Sequence, residues 1–339
     1  MKLSSVYPYT YARVAVMRSE LLPPDRYSQM LKMSLPELTQ FLQGSTYKTE
    51  VDSHALRSQG AALIDAAVQD HLGKIAAKLR RISEEGLRQV IDAYLQRRES
   101  HNAKTLIRGM IARFPFDRIR FQLMEGSTAI ESYKEDYERG SVDAIVSSLQ
   151  FAGSSDKMIA EFNQTKDLFR LEAQIDEAYY QYMLDFAQKL PVQGEVMKQF
   201  IMEEVRFKNL MTVLRMKRAG VPSEQIKAWL YFPNPAERNY FRQLLAYPEA
   251  RKVQMAFKDK VANREVRRAL ELDSVSAVEI ALMKYLLRRM ARRTHQNPLS
   301  VDVILSYLFA VEIEARNLKI FAKAKEAGLP EEKVRELLI

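Results

Sequence analysis

The sequence predicts an all-α protein, a ring of three similar helical bundles. Three observations lead to this prediction. Apolar residues recur at helical spacing along nearly the whole chain, glycine and proline are sparse at 11 and 12 of 339 residues, and one phrase occurs three times at nearly equal intervals. No segment shows the strict alternation of a half-buried strand.

Composition limits the class of protein. With 47% apolar residues in 339, the chain can form two or three sizeable cores. It contains no cysteine, which excludes disulfides, thiolate nucleophiles and Cys-ligated zinc. Its formal charge of +9 predicts an acidic partner, but the charge does not distinguish among protein, phospholipid surface and nucleic acid.

Two segments of the sequence are candidates for a signal peptide and a transmembrane helix, and neither has the required apolar length. Residues 1–16 contain no uninterrupted apolar stretch, so we expect no signal peptide. The apolar run at residues 303–311 is shorter than a bilayer span and follows Asp302. We therefore expect a soluble or peripheral protein in the cytosol.

Three long pairs of helices carry the repeat. We predict helices at residues 53–81 and 84–113, 156–189 and 194–219, and 274–293 and 300–327. The second helix of each pair contains an asparagine that follows a basic or imidazole residue, with an aliphatic or aromatic residue four places on. These asparagines are Asn102, Asn209 and Asn317, and the two intervals between them differ by one position.

A turn follows each asparagine at a constant distance. A proline stands at the same offset after all three, and in two units a glycine stands two places before that proline. The prolines are Pro115, Pro222 and Pro330, and the glycines are Gly220 and Gly328. Glycine suits the left-handed residue after a helix, and proline suits the first turn of the next helix, where acidic residues also favour the dipole. Arg113 takes the glycine's place in the first unit, so we expect that turn to close differently.

The repeat divides the chain into units at residues 1–114, 115–221 and 222–329, and residues 330–339 form a terminal helix. Ser34 and Ser141 stand at the same distance before their asparagines, and Asn263 holds a comparable place in the third unit. Residues 34–37, SLPE, predict a capping box. The first helix resembles the tail of a unit, so we expect the terminal helix to pack back on it and close the ring.

Motifs for catalysis are missing from the sequence. The histidines His54, His71, His101 and His295 form neither an HExxH nor an ExxH pattern, and there is no phosphate-binding loop, dinucleotide fingerprint or nucleophile elbow. The adjacent acids Glu203 and Glu204 do not share a helix face, and pairs of this kind are typical of solvated or dipole-favouring side chains. We expect no catalytic residue, cofactor or bound metal.

Two features admit both a structural and a functional interpretation. The repeated asparagines lie on apolar stripes, which favours buried amides bonded to a neighbouring helix, but a binding position repeated around a ring is the alternative. Four arginines crowd the helix at residues 284–293, where they either form a solvated face with cations at a helix C-terminus or contact an acidic partner or lipid headgroups. These arginines are Arg288, Arg289, Arg292 and Arg293.

Three segments resemble one family. The tail at residues 297–334, NPLSVDVILSYLFAVEIEARNLKIFAKAKEAGLPEEKV, the central RESHNAKTLIRG and the opening YPYTYARVAVMRSELL are similar to the C subunit of archaeal and bacterial A/V-type ATP synthases, the family that includes the d subunit of vacuolar ATPases. The resemblance runs from end to end. One departure is Tyr11, where the family has asparagine.

The resemblance implies both a shape and a role. Such proteins form a funnel of three helical bundles around a pseudo-threefold axis. They are not catalytic: they connect the central stalk to the membrane proteolipid ring and transmit torque coupled to ion transport, one copy per complex, on the cytoplasmic face of the membrane. No nucleic-acid partner is implied. A basic all-helical nucleic-acid-binding or scaffold protein is the alternative that the charge leaves open.

Overall fold

Helices are the regular elements of the part of the chain that the structure describes. The computed structural model describes residues 7–124, 128–153, 155–190, 194–296 and 300–339, so residues 1–6, residues 297–299 of the quoted tail and the side chain of His295 lie outside it. The α-helices in chain order are α1 (Pro8–Ser19), α2 (Pro24–Lys32), α3 (Leu35–Gln43), α4 (Lys48–His54), α5 (Gly60–Ile82), α6 (Glu85–Ile111), α7 (Phe116–Arg120), α8 (Lys134–Glu138), α9 (Val142–Ser147), α10 (Asp156–Thr165), α11 (Leu168–Gln188), α12 (Gly194–Arg218), α13 (Ser223–Ala228), α14 (Pro235–Leu245), α15 (Ala250–Lys258), α16 (Arg264–Glu271), α17 (Val275–Gln296), α18 (Val301–Glu326) and α19 (Glu331–Leu337). A 3₁₀ helix at Ile130–Tyr133 precedes α8.

The all-α prediction is confirmed, and four of the six long helices, α6, α12, α17 and α18, have nearly the predicted bounds. The bounds of the other two are wrong. The helix predicted at residues 53–81 begins at Gly60, because Gln59 is extended and Gly60 has a φ of 62°. The helix predicted at residues 156–189 is interrupted where Lys166 is left-handed, with a φ of 53°, and the Asp167 carboxylate caps α11 by accepting from the Arg170 N–H.

The six long helices contact one another in a closed cycle. Along the chain, α5 packs on α6, α6 on α11, α11 on α12, α12 on α17 and α17 on α18. The last helix, α18, packs in turn on α5, so the two ends of the series meet. Each of α6, α12 and α18 therefore lies between two of the helices α5, α11 and α17.

Side-chain caps open a short helix in each third of the chain. Ser34 forms the predicted capping box with Glu37, and its Oγ accepts from the Glu37 N–H. Ser141 caps α9 by accepting from the Ala144 N–H, and Asn263 caps α16 in the same way. These residues favour N-caps because their short polar side chains satisfy a helix N–H that has no intrahelical partner.

The two ends of the chain lie against α18. Helix α1 packs on α18 and α5, whereas α19 packs on α18, α17 and α2. The Glu314 carboxylate of α18 accepts a hydrogen bond from the Leu22 N–H at 2.6 Å and another from the Tyr47 hydroxyl at 2.8 Å. This buried carboxylate therefore anchors the segment between α1 and α2.

Among the residues that the structure describes, buried apolar side chains form two clusters. The larger one runs through α1–α11, the first half of α12, the second half of α17, α18 and α19, and the smaller one joins the second half of α12 to α13–α16 and the first half of α17. Among the described residues, none of the helices is apolar over a length that would let it cross a bilayer.

Candidate functional site

Asn102, Asn209 and Asn317 make the same pair of hydrogen bonds to the backbone. Each amide Nδ2 donates to the carbonyl oxygen of the residue 22 positions further on, and each Oδ1 accepts from the N–H of that same residue. The partner residues are Met124, Tyr231 and Ile339. The donor–acceptor distances lie between 2.7 and 3.3 Å.

Each amide lies on a long helix, α6, α12 or α18, and bonds to the backbone just after the short helix that follows, α7, α13 or α19. It therefore holds that backbone against the long helix. Each asparagine is buried, at 4% exposure or less. Their burial agrees with the sequence interpretation, but the expected bond to a neighbouring helix is wrong: the partners are non-helical residues that follow the next short helix. Because both amide atoms bond to backbone, these side chains hold local structure in place.

The three turns after these asparagines close in the same way. The N–H groups of Phe114, Val221 and Leu329 donate to carbonyls five residues earlier, at 2.9–3.0 Å. The residue before each donor is left-handed, with φ of 55° at Arg113, 74° at Gly220 and 66° at Gly328. The expectation that Arg113 closes its turn differently is wrong: the hydrogen bonds of the turn impose the left-handed backbone on an arginine. Pro115, Pro222 and Pro330 are the N-caps of the next helices rather than residues of their first turns.

Replacing Arg113 with glycine is expected to raise the free energy of unfolding by about 1 kcal/mol, because a left-handed backbone strains a residue that has a Cβ atom. Urea unfolding monitored by circular dichroism measures this change. The matched control is Gly220→Ala, which should lower stability by about 1 kcal/mol since a Cβ there meets no atom within 4 Å and only the backbone is strained. A destabilised Arg113→Gly variant would contradict the prediction.

Three charged residues at equivalent places meet where α6, α12 and α18 converge. Arg97, Glu204 and Glu312 each stand five residues before one of the repeated asparagines. Arg97 forms ion pairs with Glu204 and, at 3.4 Å, with Glu312. Its guanidinium also donates to the Tyr94 hydroxyl at 2.6 Å, and that hydroxyl donates to Glu312 at 3.1 Å. We call Arg97, Glu204 and Glu312 the central ion cluster.

The central ion cluster is partly shielded from water. The side chains of Arg97, Glu204 and Glu312 are 20%, 15% and 24% exposed. Burial by itself would lower the pKa of Arg97, but the two carboxylates outweigh it and raise the pKa well above its usual value. The interpretation of Glu204 as a solvated side chain is therefore wrong. Sequence reasoning missed the cluster, although the interval of the repeat marks all three positions.

A second ion cluster joins α11 to α6 and α12. The Asp176 carboxylate pairs with Lys104 at 2.6 Å and with Lys208, and it accepts from the Ser100 hydroxyl at 3.1 Å. Burial by itself would raise the pKa of Asp176, but the two ammonium groups outweigh it and lower the pKa to about 2. The folded protein therefore holds this carboxylate in its charged form.

The pKa of Asp176 predicts a loss of stability in acid. A carboxyl group whose pKa is lower in the folded than in the unfolded chain stabilises the fold at pH values above its pKa in the unfolded chain. The free energy of unfolding should therefore fall by about 2 kcal/mol as the pH falls from about 4 to about 2. Urea unfolding measured across this range for the wild type and Asp176→Asn tests it. The variant should lack this part of the pH dependence, and identical pH profiles would contradict the assignment.

The arginines of α17 do not form one free patch. Arg288 pairs with Glu265, Arg289 pairs with Glu203, and Arg293 donates to the Gln199 side chain. Arg289 also donates to the Tyr285 hydroxyl at 2.8 Å. Arg292 is exposed and makes no such bond to the described residues. Within the described ranges, His, Asp and Glu side chains form no group of three or more that could hold a metal ion.

The comparisons with known proteins cover nearly the whole chain. The profile of the family described as ATP synthase (C/AC39) subunit matches residues 10–337. The A-type ATP synthase C subunit of Methanosarcina mazei is 30% identical over 346 aligned positions, which cover 100% of this chain and 94% of that protein. The proteins of the same name from Halobacterium salinarum and Archaeoglobus fulgidus are 27% and 25% identical, with at least 96% of every chain covered.

The family profile spans far more than half of the chain, and these relatives align over at least 94% of their own length. The sequence resemblance is thus confirmed by full-length similarity. This chain belongs to the ATP synthase (C/AC39) subunit family.

Proposed function

We propose that this protein is a non-catalytic rotor adaptor of an A/V-type ATP synthase or ATPase. It connects the central stalk of the soluble head to the membrane proteolipid ring and transmits torque coupled to ion transport. One copy serves each complex, at the cytoplasmic face of the membrane. The observation that carries the proposal is the closed cycle of six long helices with the central ion cluster where α6, α12 and α18 converge.

The repeated contacts support a threefold-like adaptor. The asparagine bonds and the turns recur at the interval of the repeat, and the three members of the central ion cluster stand at equivalent places, as expected for three units at residues 1–114, 115–221 and 222–329 around a pseudo-threefold axis. In a funnel of this design, residues 330–339 form a terminal helix that follows the third unit, and its contact with α2 brings it back to the N-terminal part of the chain. In this proposal, three similar units offer the central stalk three similar contact surfaces around the axis.

The packing suits the transmission of torque. Close-packed helices resist deformation, and a cycle of helices has no free edge at which twisting could open it. Ion pairs that link successive members of the cycle, such as Arg108 with Glu172 and Arg215 with Glu279, oppose sliding of one helix along the next. An adaptor between two rotating parts requires this stiffness.

Co-purification tests the proposal directly. The tagged chain is expressed with the central-stalk subunits and the proteolipid subunit from the same source, and complexes are separated by size-exclusion chromatography at several salt concentrations. A stoichiometric complex with both partners is the expected result. A chain that remains alone and instead shifts a nucleic-acid probe, with steep salt dependence, would support the basic nucleic-acid-binding alternative and overturn the proposal.

The arginines of α17 give a narrower test of where an acidic partner or headgroup binds. Reversing the charge at Arg288, Arg289, Arg292 and Arg293 should weaken assembly in a salt-dependent way, but three of these changes also break bonds within the chain. We therefore expect Arg292→Glu alone to weaken assembly by about tenfold at low salt. Lys157→Glu on α10, an exposed position, is the matched control. Equal assembly of both variants and the wild type at low salt would contradict a contact at this cluster.

A further inference from the structure

A cavity of about 680 Å³ lies between α6 and α18, where the last unit meets the first. Its apolar lining includes Leu72 of α5, Met124 and Leu329. Its polar lining is mainly basic and includes Arg98, Arg316, Lys319 and Lys323, together with the imidazole of His101. We call it the seam cavity. The Arg97 and Glu312 side chains of the central ion cluster also border it.

One cation of the seam cavity lacks the partner that its equivalents have. Arg108 and Arg215 stand at corresponding places on α6 and α12, and each pairs with a glutamate of the next long helix, Glu172 or Glu279. Lys323 stands at the same place on α18. The residue that corresponds to Glu172 and Glu279 in the first unit is Asp65 on α5. Its carboxylate pairs with Lys319 at 2.9 Å and not with Lys323. Among the described residues, no carboxylate lies within ion-pair distance of the exposed Lys323 ammonium.

Arg316 and His101 of the cavity contact carbonyl oxygens rather than carboxylates, and of the two only the Arg316 guanidinium adds positive charge at neutral pH, because burial lowers the pKa of His101. Arg316 donates to the Leu337 carbonyl at 3.2 Å, and a ring nitrogen of His101 lies 3.3 Å from the Gln122 carbonyl oxygen. The carboxylate of Glu312, which lines the same wall, is already paired with Arg97. The seam cavity therefore has an excess of positive charge beside an apolar surface.

We propose that the seam cavity binds an acidic segment of the central-stalk subunits. This inference rests on the proposed function, because it assigns a chemistry to the stalk surface that contacts this chain. Carboxylates of such a segment would pair with Lys323 and Arg316, and its apolar side chains would cover Leu72, Met124 and Leu329. A small polyanion would satisfy the cations but leave this apolar surface exposed, so a protein segment fits both parts of the lining.

The test compares charge variants at Lys323 for binding to the purified central-stalk subunits. Since Lys323 makes no internal ion pair with described residues, Lys323→Glu should fold like the wild type, which a thermal melt checks. We expect Lys323→Glu to weaken stalk binding by about tenfold or more at low salt and to flatten its salt dependence, whereas Lys323→Arg should bind like the wild type. Lys157→Glu, with the same change of charge outside the cavity, should also bind normally.

The outcomes separate this inference from the proposed function. Normal binding of the stalk subunits to Lys323→Glu would overturn the assignment of the seam cavity and leave the adaptor function intact. Failure of the wild type to bind the stalk subunits at all would overturn both. Binding of tripolyphosphate that Lys323→Glu abolishes, without any effect of that variant on stalk binding, would identify the cavity as a small-anion site and also overturn the inference.

Discussion

Arg97→Ala is expected to lower the free energy of unfolding by about 3–5 kcal/mol, because it leaves two partly buried carboxylates facing each other without their cation. Glu204 and Glu312 come from α12 and α18, so their repulsion acts between helices that belong to different thirds of the chain. Urea unfolding measures the loss. Reduced co-purification with the stalk subunits should accompany it, since the same residues lie where the three helices converge.

The controls separate the central ion cluster from an ordinary surface pair. Arg139→Ala removes an exposed i, i+4 pair with Glu135 and should change stability by less than about 0.5 kcal/mol. Combining Arg97→Met with Glu204→Gln and Glu312→Gln removes the charges together, and this variant should be clearly more stable than Arg97→Ala. If Arg97→Ala and Arg139→Ala lose equally little stability, the cluster does not hold the three helices together.

Asn209→Ala is expected to lower the free energy of unfolding by about 3 kcal/mol. The amide is 4% exposed, and its loss leaves both the N–H and the carbonyl group of Tyr231 without their partner in a buried setting. Asn209→Asp tests the donor alone, because the carboxylate still accepts from the Tyr231 N–H but opposes the carbonyl oxygen. Chemical unfolding of both variants measures the effect.

Asn317→Ala provides the internal comparison. It breaks the same two bonds, but their partner is Ile339 at the end of the described chain, so less structure depends on them. We expect a smaller loss of stability than for Asn209→Ala. Equal losses at the two positions would show that the amide bonds contribute through local burial and not through the chain that they hold in place.

Much of the fold follows from local patterns. Apolar spacing predicted α6, α12, α17 and α18 closely, and the SLPE sequence predicted the capping box of Ser34. The prediction failed where two local preferences compete. The apolar pattern of residues 156–189 continues across Lys166 and Asp167 and favours one helix. The structure shows that the helix is interrupted there, because Lys166 is left-handed and the Asp167 carboxylate caps α11.

The sequence by itself determined the helical class, the repeated positions and the family, because spacing and turn chemistry act within a few residues of the chain. The tertiary structure alone decided how the repeated positions are used. Arg97, Glu204 and Glu312 lie in different thirds of the chain, so their pairing depends on which helices converge. Likewise, the sequence places both Lys319 and Lys323 on α18 as candidate partners of Asp65. Only the packing of α5 on α18 decides that Asp65 pairs with Lys319 and that Lys323 lines the seam cavity.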